Sequence, residues 1–223
     1  MKNFVWSDPP GQTAYPVAKA GYPFIFAAAF ATAVFALLGL VWPSVIGLAA
    51  TLGICCFFRD PDRVIPYSET GVVSPADGRV VFVDTVPENP YIEGPSLKVS
   101  VFMSVFNVHV NRVPFSGTIV DVLYHPGKFF SANLDKASSD NERNAVVLES
   151  SQGVRLCFVQ IAGLIARRII CYVQPGDPVT KGQRFGLICF GSRLDLYLPS
   201  DATPCVRVGD RVKGGTSVLG HLK

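Results

Sequence analysis

No charged residue lies between positions 20 and 58 of this 223-residue chain. An uncharged run of that length has to bury itself in a core or in a lipid bilayer. Pro43 divides it. As a helix, residues 22–42 are long enough to cross a hydrocarbon core of about 30 Å. Residues 44–58 reach only about 22 Å, so this second segment crosses with little tilt or enters partway. A break at a single proline predicts a tight helical hairpin with both ends on one side. Lys2 and Lys19 flank one end and Arg59 and Arg63 the other, which the positive-inside rule places at the cytoplasmic face of the cell (inner) membrane. Trp6 and Trp42 suit the interfaces. A cleaved signal peptide fits poorly, because the apolar run exceeds the usual core of about 7–15 residues. A hairpin buried in a protein core is the other alternative.

The remaining sequence is mixed in character. A formal net charge of +3 does not point to nucleic acid. Only Lys2, Asp8 and Lys19 precede Arg59 among the charged residues. The chain therefore divides into residues 1–63, a membrane-associating hairpin, and residues 64–223, a separate β-rich domain. None of the six cysteines forms a C-x-x-C pair or joins a histidine at metal-ligand spacing. They read as free thiols in a reducing compartment, and no metal is indicated.

From about Thr70 onward, short β-branched runs alternate with turn residues, in keeping with 20 glycines and 17 prolines. "GVVSPADGRVVFVDTV" places Pro-Ala-Asp-Gly between two such runs and predicts a hairpin. "LKVSVFMSVFNVHVNRVP", "GTIVDVLYHPG" and "NAVVLESSQGVRLCFVQIAG" are strand-like, and "LIARRIICYV" suits a strand or a short helix. "PGDPVTKGQRFGLI" (175–188) is echoed by "VGDRVKGGTSVLG" (208–220). Each predicts a turn, a short strand and a second turn, as in barrel-sandwich folds, without the lysine of a swinging-arm carrier. The fold class expected is therefore mainly β, barrel-sandwich-like with short helices, behind an apolar α-helical hairpin. Residues 129–143 are polar and form a long excursion of a kind often used for function.

Gly191-Ser192 interrupts a strand-forming run, "LICFGSRLDLYLP". A bulge is one explanation. Chemistry offers another. A serine hydroxyl can attack the carbonyl of the residue before it, and glycine admits the backbone geometry required. An activating base and an oxyanion partner lower the barrier. Elimination from the resulting ester breaks the chain and leaves dehydroalanine, which hydrolyses to a pyruvoyl group. That ketone can form a Schiff base with a substrate amine and accept electrons from a breaking C–C bond.

"FGSRLDLYLP" does not stand alone. "RDP" at 59–61, "SPADG" at 74–78, "FNVHVNR" at 106–112, "PGKF" at 126–129 and "NER" at 141–143 occur in order before it. Together with the apolar hairpin, these motifs resemble the phosphatidylserine decarboxylase family in its short bacterial form. The resemblance implies cleavage between Gly191 and Ser192. A β fragment would end at Gly191, and an α fragment, 192–223, would begin with a covalent pyruvoyl group. The two fragments would stay together through burial of Leu194, Leu196 and Leu198. It also implies that Asp77 orients the maturation base and that His109 is an acid/base group, a role suited by imidazole's titration near neutrality. Longer members carry a second histidine where this chain has Arg112. So His109 serves both proton transfers or another group helps, with His125 as a fallback. Arg112 becomes a candidate for the lipid phosphate or substrate carboxylate. Arg59, Arg63, Arg167 and Arg168 are candidates for an anionic lipid surface, and His221 is incidental. The implied partner is phosphatidylserine in the membrane. Self-association stays open, as do two alternatives: decarboxylation of a related serine phospholipid, and a non-catalytic, membrane-tethered β-barrel adaptor.

Overall fold

The computed structural model describes residues 16–130, 140–163, 168–189 and 192–223. They form two compact units, one within Thr13–Asp62 and the other over Arg63–Lys223.

The first unit is a helical hairpin of α1 (Tyr22–Leu37) and α2 (Val41–Phe57). The reversal occurs at Gly39, which takes φ = 71°, and not at Pro43. Pro43 lies in the first turn of α2, where a missing N–H breaks no helical bond. A Cβ on Gly47 would lie 2.6 Å from Thr32 Oγ1, so glycine permits close approach of the two helices. Below the helices, the N–H of Ala18 donates to Phe58 O (2.7 Å) and that of Asp60 to Pro16 O (2.8 Å). The helices are apolar all round. Phe26, Phe30, Leu37 and Trp42 are each at least 70% exposed, and α1 buries none of its side chains. The helical stretch Lys19–Leu37, with mean hydropathy 1.8, is long and apolar enough to cross a membrane.

The second unit contains strands β1 (Gly71–Val73), β2 (Gly78–Val86), β3 (Ser96–Met103), β4 (Val110–Arg112), β5 (Gly117–His125), β6 (Arg143–Glu149) and β7 (Arg155–Ala162). They are followed by β8 (Ile169–Cys171), β9 (Pro178–Val179), β10 (Arg184–Ile188), β11 (Ser192–Pro199), β12 (Thr203–Pro204), β13 (Arg211–Val212) and β14 (Val218–His221). An eight-stranded antiparallel sheet runs β13-β2-β3-β11-β7-β6-β5-β9, flanked by two three-stranded sheets, β1-β14-β12 and β4-β10-β8. "SPADG" does not close a hairpin. β1 pairs with β14 while β2 pairs with β3, because the turn carries the chain from one sheet into another.

The order of the large sheet is a palindrome of two equivalent halves. One half is β1–β3 with β11–β14; the other, β4–β10, is inserted between β3 and β11. Pro75-Ala-Asp-Gly78 corresponds to Pro114-Phe-Ser-Gly117. A Cβ on Gly78 would lie 2.2 Å from Phe102 O, and one on Gly117 would lie 2.2 Å from Glu149 O. The echoed Gly-Asp-x-Val segments dock alike: Gly209 N donates to Val80 O and Gly176 N to Ile119 O, both at 2.8 Å. The halves also cross-bond, Val73 N to Pro114 O (3.0 Å) and Arg112 N to Pro75 O (2.9 Å). The sequence echo is thus the visible part of a two-fold repeat.

β11 lies at the middle of this sheet, paired with β3 on one side and β7 on the other. Leu194, Leu196 and Leu198 point into the main core and are fully buried, each removal from water being worth about 1.5–3 kcal/mol. The alternate residues face a second cluster that includes Tyr91, Ile161 and Tyr197. There Asp195, fully buried, accepts from Arg193 Nε (2.7 Å) and Arg193 Nη2 (2.9 Å), and Lys98 lies 3.0 Å away.

Asp195→Ala is expected to lower stability by about 3–5 kcal/mol, since it strands buried cations without their carboxylate. Gly117→Ala is expected to cost about 2 kcal/mol, because its clash is with backbone rather than a side chain that can move. Chemical denaturation of the detergent-solubilised protein measures both.

Candidate active site

Ser192 opens β11 and is fully buried. It pairs with Met103 at the end of β3 and with Ala162 at the end of β7. Gly78 lies beside the same row, since Arg79 faces Phe102. Ser192 shares the core face with Leu194, and its hydroxyl contacts the Met103 thioether, Oγ to Sδ 3.9 Å. Phe190 and Gly191 lie outside the described residues. The repeat shows what the Ser192 position corresponds to. Arg193 faces Phe102 as Arg155 faces Glu149, so Ser192 corresponds to Val154. In that half Gly153-Val154 ends the tight turn joining β6 to β7, with Gly153 at φ = 77° and Ser150 N donating to Val154 O at 2.9 Å. Ser192 therefore holds the place of the residue that closes that hairpin turn, and its partner strand β3 is separated from it in sequence by seven inserted strands.

His109 immediately precedes β4 and is 1% exposed. Val110 faces Leu187 of β10, which sets His109 level with Ile188, shortly before Ser192 in the chain. β4 is in turn tied to the Asp77 turn by the Arg112 N to Pro75 O bond. Strand pairing thus sets Ser192 beside Met103 at the end of β3, while His109 precedes the start of β4 and the Asp77 turn is bonded to its end.

Asp77 uses its two oxygens differently. Oδ1 accepts from Gly214 N at 2.7 Å, and Oδ2 accepts from Arg63 Nη2 at 2.8 Å. In the other half Ser116 stands in place of Asp77, and its Oγ accepts from Lys181 N, the equivalent donor, at 2.9 Å. A hydroxyl suffices for the turn. The carboxylate is an addition peculiar to this half, and so is its arginine. Arg112 is buried, donates from Nη1 to Gly182 O at 3.0 Å, and runs beside Gly215.

His125 does not join this group. It pairs with Arg143 and packs by Tyr91 at 6.4 Å between centroids, on the sheet face opposite Ser192. It is also three strands, roughly 14 Å, along the ladder. His221 meets Thr70, Nδ1 to Oγ1 3.1 Å. Among the arginines expected at a lipid surface, Arg63 is engaged by Asp77, and Arg59 donates to Cys56 O at 2.7 Å, covering a carbonyl at the end of α2. Arg168 is exposed, and Arg167 lies outside the described residues. Residues 131–139 of the polar excursion also lie outside them. Its ends are held by Asn141, whose Nδ2 donates to Phe130 O (2.8 Å) and Ala162 O (2.7 Å). Burial pushes the thiols of Cys157, Cys171 and Cys189 upward from their ordinary titration, as inert core thiols require.

The sequence passes over one feature of the site. Asn144 Nδ2 donates to Gln160 Oε1 (3.2 Å), Gln160 Nε2 to Asn111 Oδ1 (2.9 Å), and Asn111 Nδ2 to Met103 Sδ (3.6 Å). All four side chains are buried. The available signal was a primary amide within a strand-forming run, Asn111 in "VHVNRVP" and Gln160 in "CFVQIAG".

A family model described as phosphatidylserine decarboxylase matches residues 51–220. A phosphatidylserine decarboxylase proenzyme of Syntrophus aciditrophicus is 50% identical over 92% of this chain and 96% of its own length. The proenzymes of the same description from Desulfotalea psychrophila and Ralstonia pickettii are 46% and 48% identical, over 95% and 92% of this chain and 99% and 95% of their own lengths. With nearly half of its residues shared along almost the entire length of such proteins, the chain belongs to the phosphatidylserine decarboxylase family.

Proposed function

We propose that this chain is a precursor that cuts itself between Gly191 and Ser192 and then decarboxylates phosphatidylserine to phosphatidylethanolamine. One observation carries this reading. The serine expected to react is wholly buried and paired on both sides, yet it follows a glycine where the sister half needs only a turn. That its relatives are named proenzymes supports the same view.

In this scheme His109 takes the Ser192 hydroxyl proton as Oγ adds to the carbonyl carbon of Gly191, and Asp77, engaged by Gly214 N and Arg63, supports that base through the turn bonded to β4 rather than by direct contact. The C–N bond breaks and the nitrogen gains a proton, leaving an ester. Removal of the Ser192 α-proton with rupture of the Cβ–O bond frees Gly191 as a carboxylate and leaves dehydroalanine. Uptake of water and release of ammonia convert this residue to a pyruvoyl group. The residues present fit such a group. Its strand is anchored on both edges, so the new N-terminus stays in place, and the core face around it excludes bulk water. The ketone supplies an electron sink for the pair released as CO2 departs. His109 then holds the proton that replaces the lost carboxylate. Arg112, fixed by Gly182 O, stands where longer members have their second histidine. It offers a permanent positive charge toward the substrate's anionic groups, so His109 serves both proton transfers.

Residues 1–63 would keep the enzyme at the cytoplasmic face of the membrane that holds its lipid substrate, with 64–223 as the catalytic domain. The length and apolar surface of the helical stretch Lys19–Leu37 support the association. Residues 192–223 would form the small fragment, its leucines locked in the core.

Ser192→Ala is expected to leave a single chain of 24.1 kDa, whereas the parent yields two fragments, the smaller blocked by a ketone. Denaturing mass spectrometry decides this, and cleavage persisting in the variant would refute the mechanism. Asp77→Ser keeps an acceptor for Gly214 N, as Ser116 does for Lys181 N. It is therefore expected to fold normally while processing about 100-fold or more slowly, as followed by gel densitometry over time. Release of CO2 from vesicles of phosphatidylserine, compared with a related serine phospholipid, tests the substrate.

A further inference from the structure

Two fully buried polar groups end on one sulfur. The Ser192 hydroxyl and the Asn111 amide both contact Met103 Sδ, at 3.9 and 3.6 Å. A thioether is a weak acceptor, and a buried amide N–H without a good partner is costly. A core selected for stability alone would place a carbonyl there, as it does for Asn141, whose amide meets two. The weak acceptor sits beside the hydroxyl expected to attack.

The Asn111 amide is also fixed in sense. Gln160 Nε2 donates both to Asn111 Oδ1 (2.9 Å) and to Ile170 O (3.3 Å), and Gln160 Oε1 receives Asn144 Nδ2 (3.2 Å). Reversing Asn111 would set its nitrogen against the Gln160 nitrogen. Room for the Gln160 amide comes from Gly186, where a Cβ would lie 3.0 Å from Nε2. The chain of amides therefore has one direction, with its donor end at Met103 and Ser192.

We propose that Asn111 is the hydrogen-bond donor for the negative oxygen that develops as Ser192 attacks the preceding carbonyl, with Gln160 and Asn144 as the residues that position it. This rests on the reading of Gly191-Ser192 as the self-cleavage site. In the step concerned, the hydroxyl proton passes to the base, the Oγ–C bond forms and the carbonyl π pair becomes the oxyanion. Collapse then expels the nitrogen, which takes a proton, so the amide becomes its isomeric ester with no atom gained or lost. The N–H exchanges a thioether for an anion during this step. Its bond is weak before reaction and charge-assisted at the transition state, which is the differential stabilisation that lowers a barrier.

The test is a time course of precursor conversion in the full-length protein, made by cell-free translation into detergent, with and without hydroxylamine, which cleaves the ester. Asn111→Leu is expected to lengthen the processing half-time about 100-fold or more and to lower hydroxylamine-induced cleavage in parallel, since the ester itself forms slowly. Asn111→Asp keeps the shape, replaces the donor by an acceptor and is expected to do the same; it decides the question should the leucine variant fail to fold. Gln160→Leu is expected to give a smaller slowing. Leu148→Ala, a cavity in the core on β6, separates stability from chemistry: it should lower the melting temperature and leave the half-time within about threefold. Folded Asn111 variants that process at the parental rate overturn the proposal, as does slow processing with undiminished hydroxylamine cleavage, which would place the defect after the ester. Ser192→Ala that still cleaves overturns the self-cleavage reading itself, a result distinct from either.

Discussion

Everything in the β unit depends on β11 being held along both edges and on both faces. Its backbone pairs with β3 and β7. Its leucines enter one core, while Arg193, Asp195 and Tyr197 enter the other. A strand so enclosed cannot shift register, because a one-residue slip would send Asp195 into the leucine core. Its first residue is therefore placed with the accuracy of the whole sheet. The same enclosure allows the connection before it to be severed without the strand leaving, which is the condition for a cofactor made from the chain to remain where it is made.

The two-fold repeat shows what distinguishes the start of this strand. In one half, β6 and β7 are joined by a short turn ending in Gly153-Val154. In the other, β3 and β11 are cut apart in sequence by the inserted half and meet only in space. The start of β11 therefore has no local turn partner to satisfy and is open to other uses. The same logic isolates Asp77: Ser116 shows what the local turn needs, and the surplus carboxylate oxygen, held by Arg63, is what the first half has added.

Much of this was legible in the residues. The uncharged run announced the helices, and the β-branched runs announced strands. The Gly-Asp-x-Val echo announced two like elements, since each needs a glycine at positive φ before a two-residue strand. The ordered motifs around "FGSRLDLYLP" pointed to the family. What failed, failed for tertiary reasons. Pro43 reads as a breaker but is harmless in a first helical turn, and the reversal fell to a glycine beyond reach of any side chain. "SPADG" reads as a hairpin turn, because local signals do not show that the strands on either side belong to different sheets. His125 reads as a possible base, but alternation along β5 turns it to the far face.

By itself the sequence determined the kinds of element and the division into an apolar hairpin and a β-rich remainder. These follow from periodicity, charge and bonding capacity, which are properties of neighbours in the chain. Only the tertiary structure decided which groups meet. Asn111, Gln160 and Asn144 become one directed chain, and Met103 meets Ser192, because antiparallel ladders bring together residues far apart in sequence, and their register is set by packing that no local stretch contains.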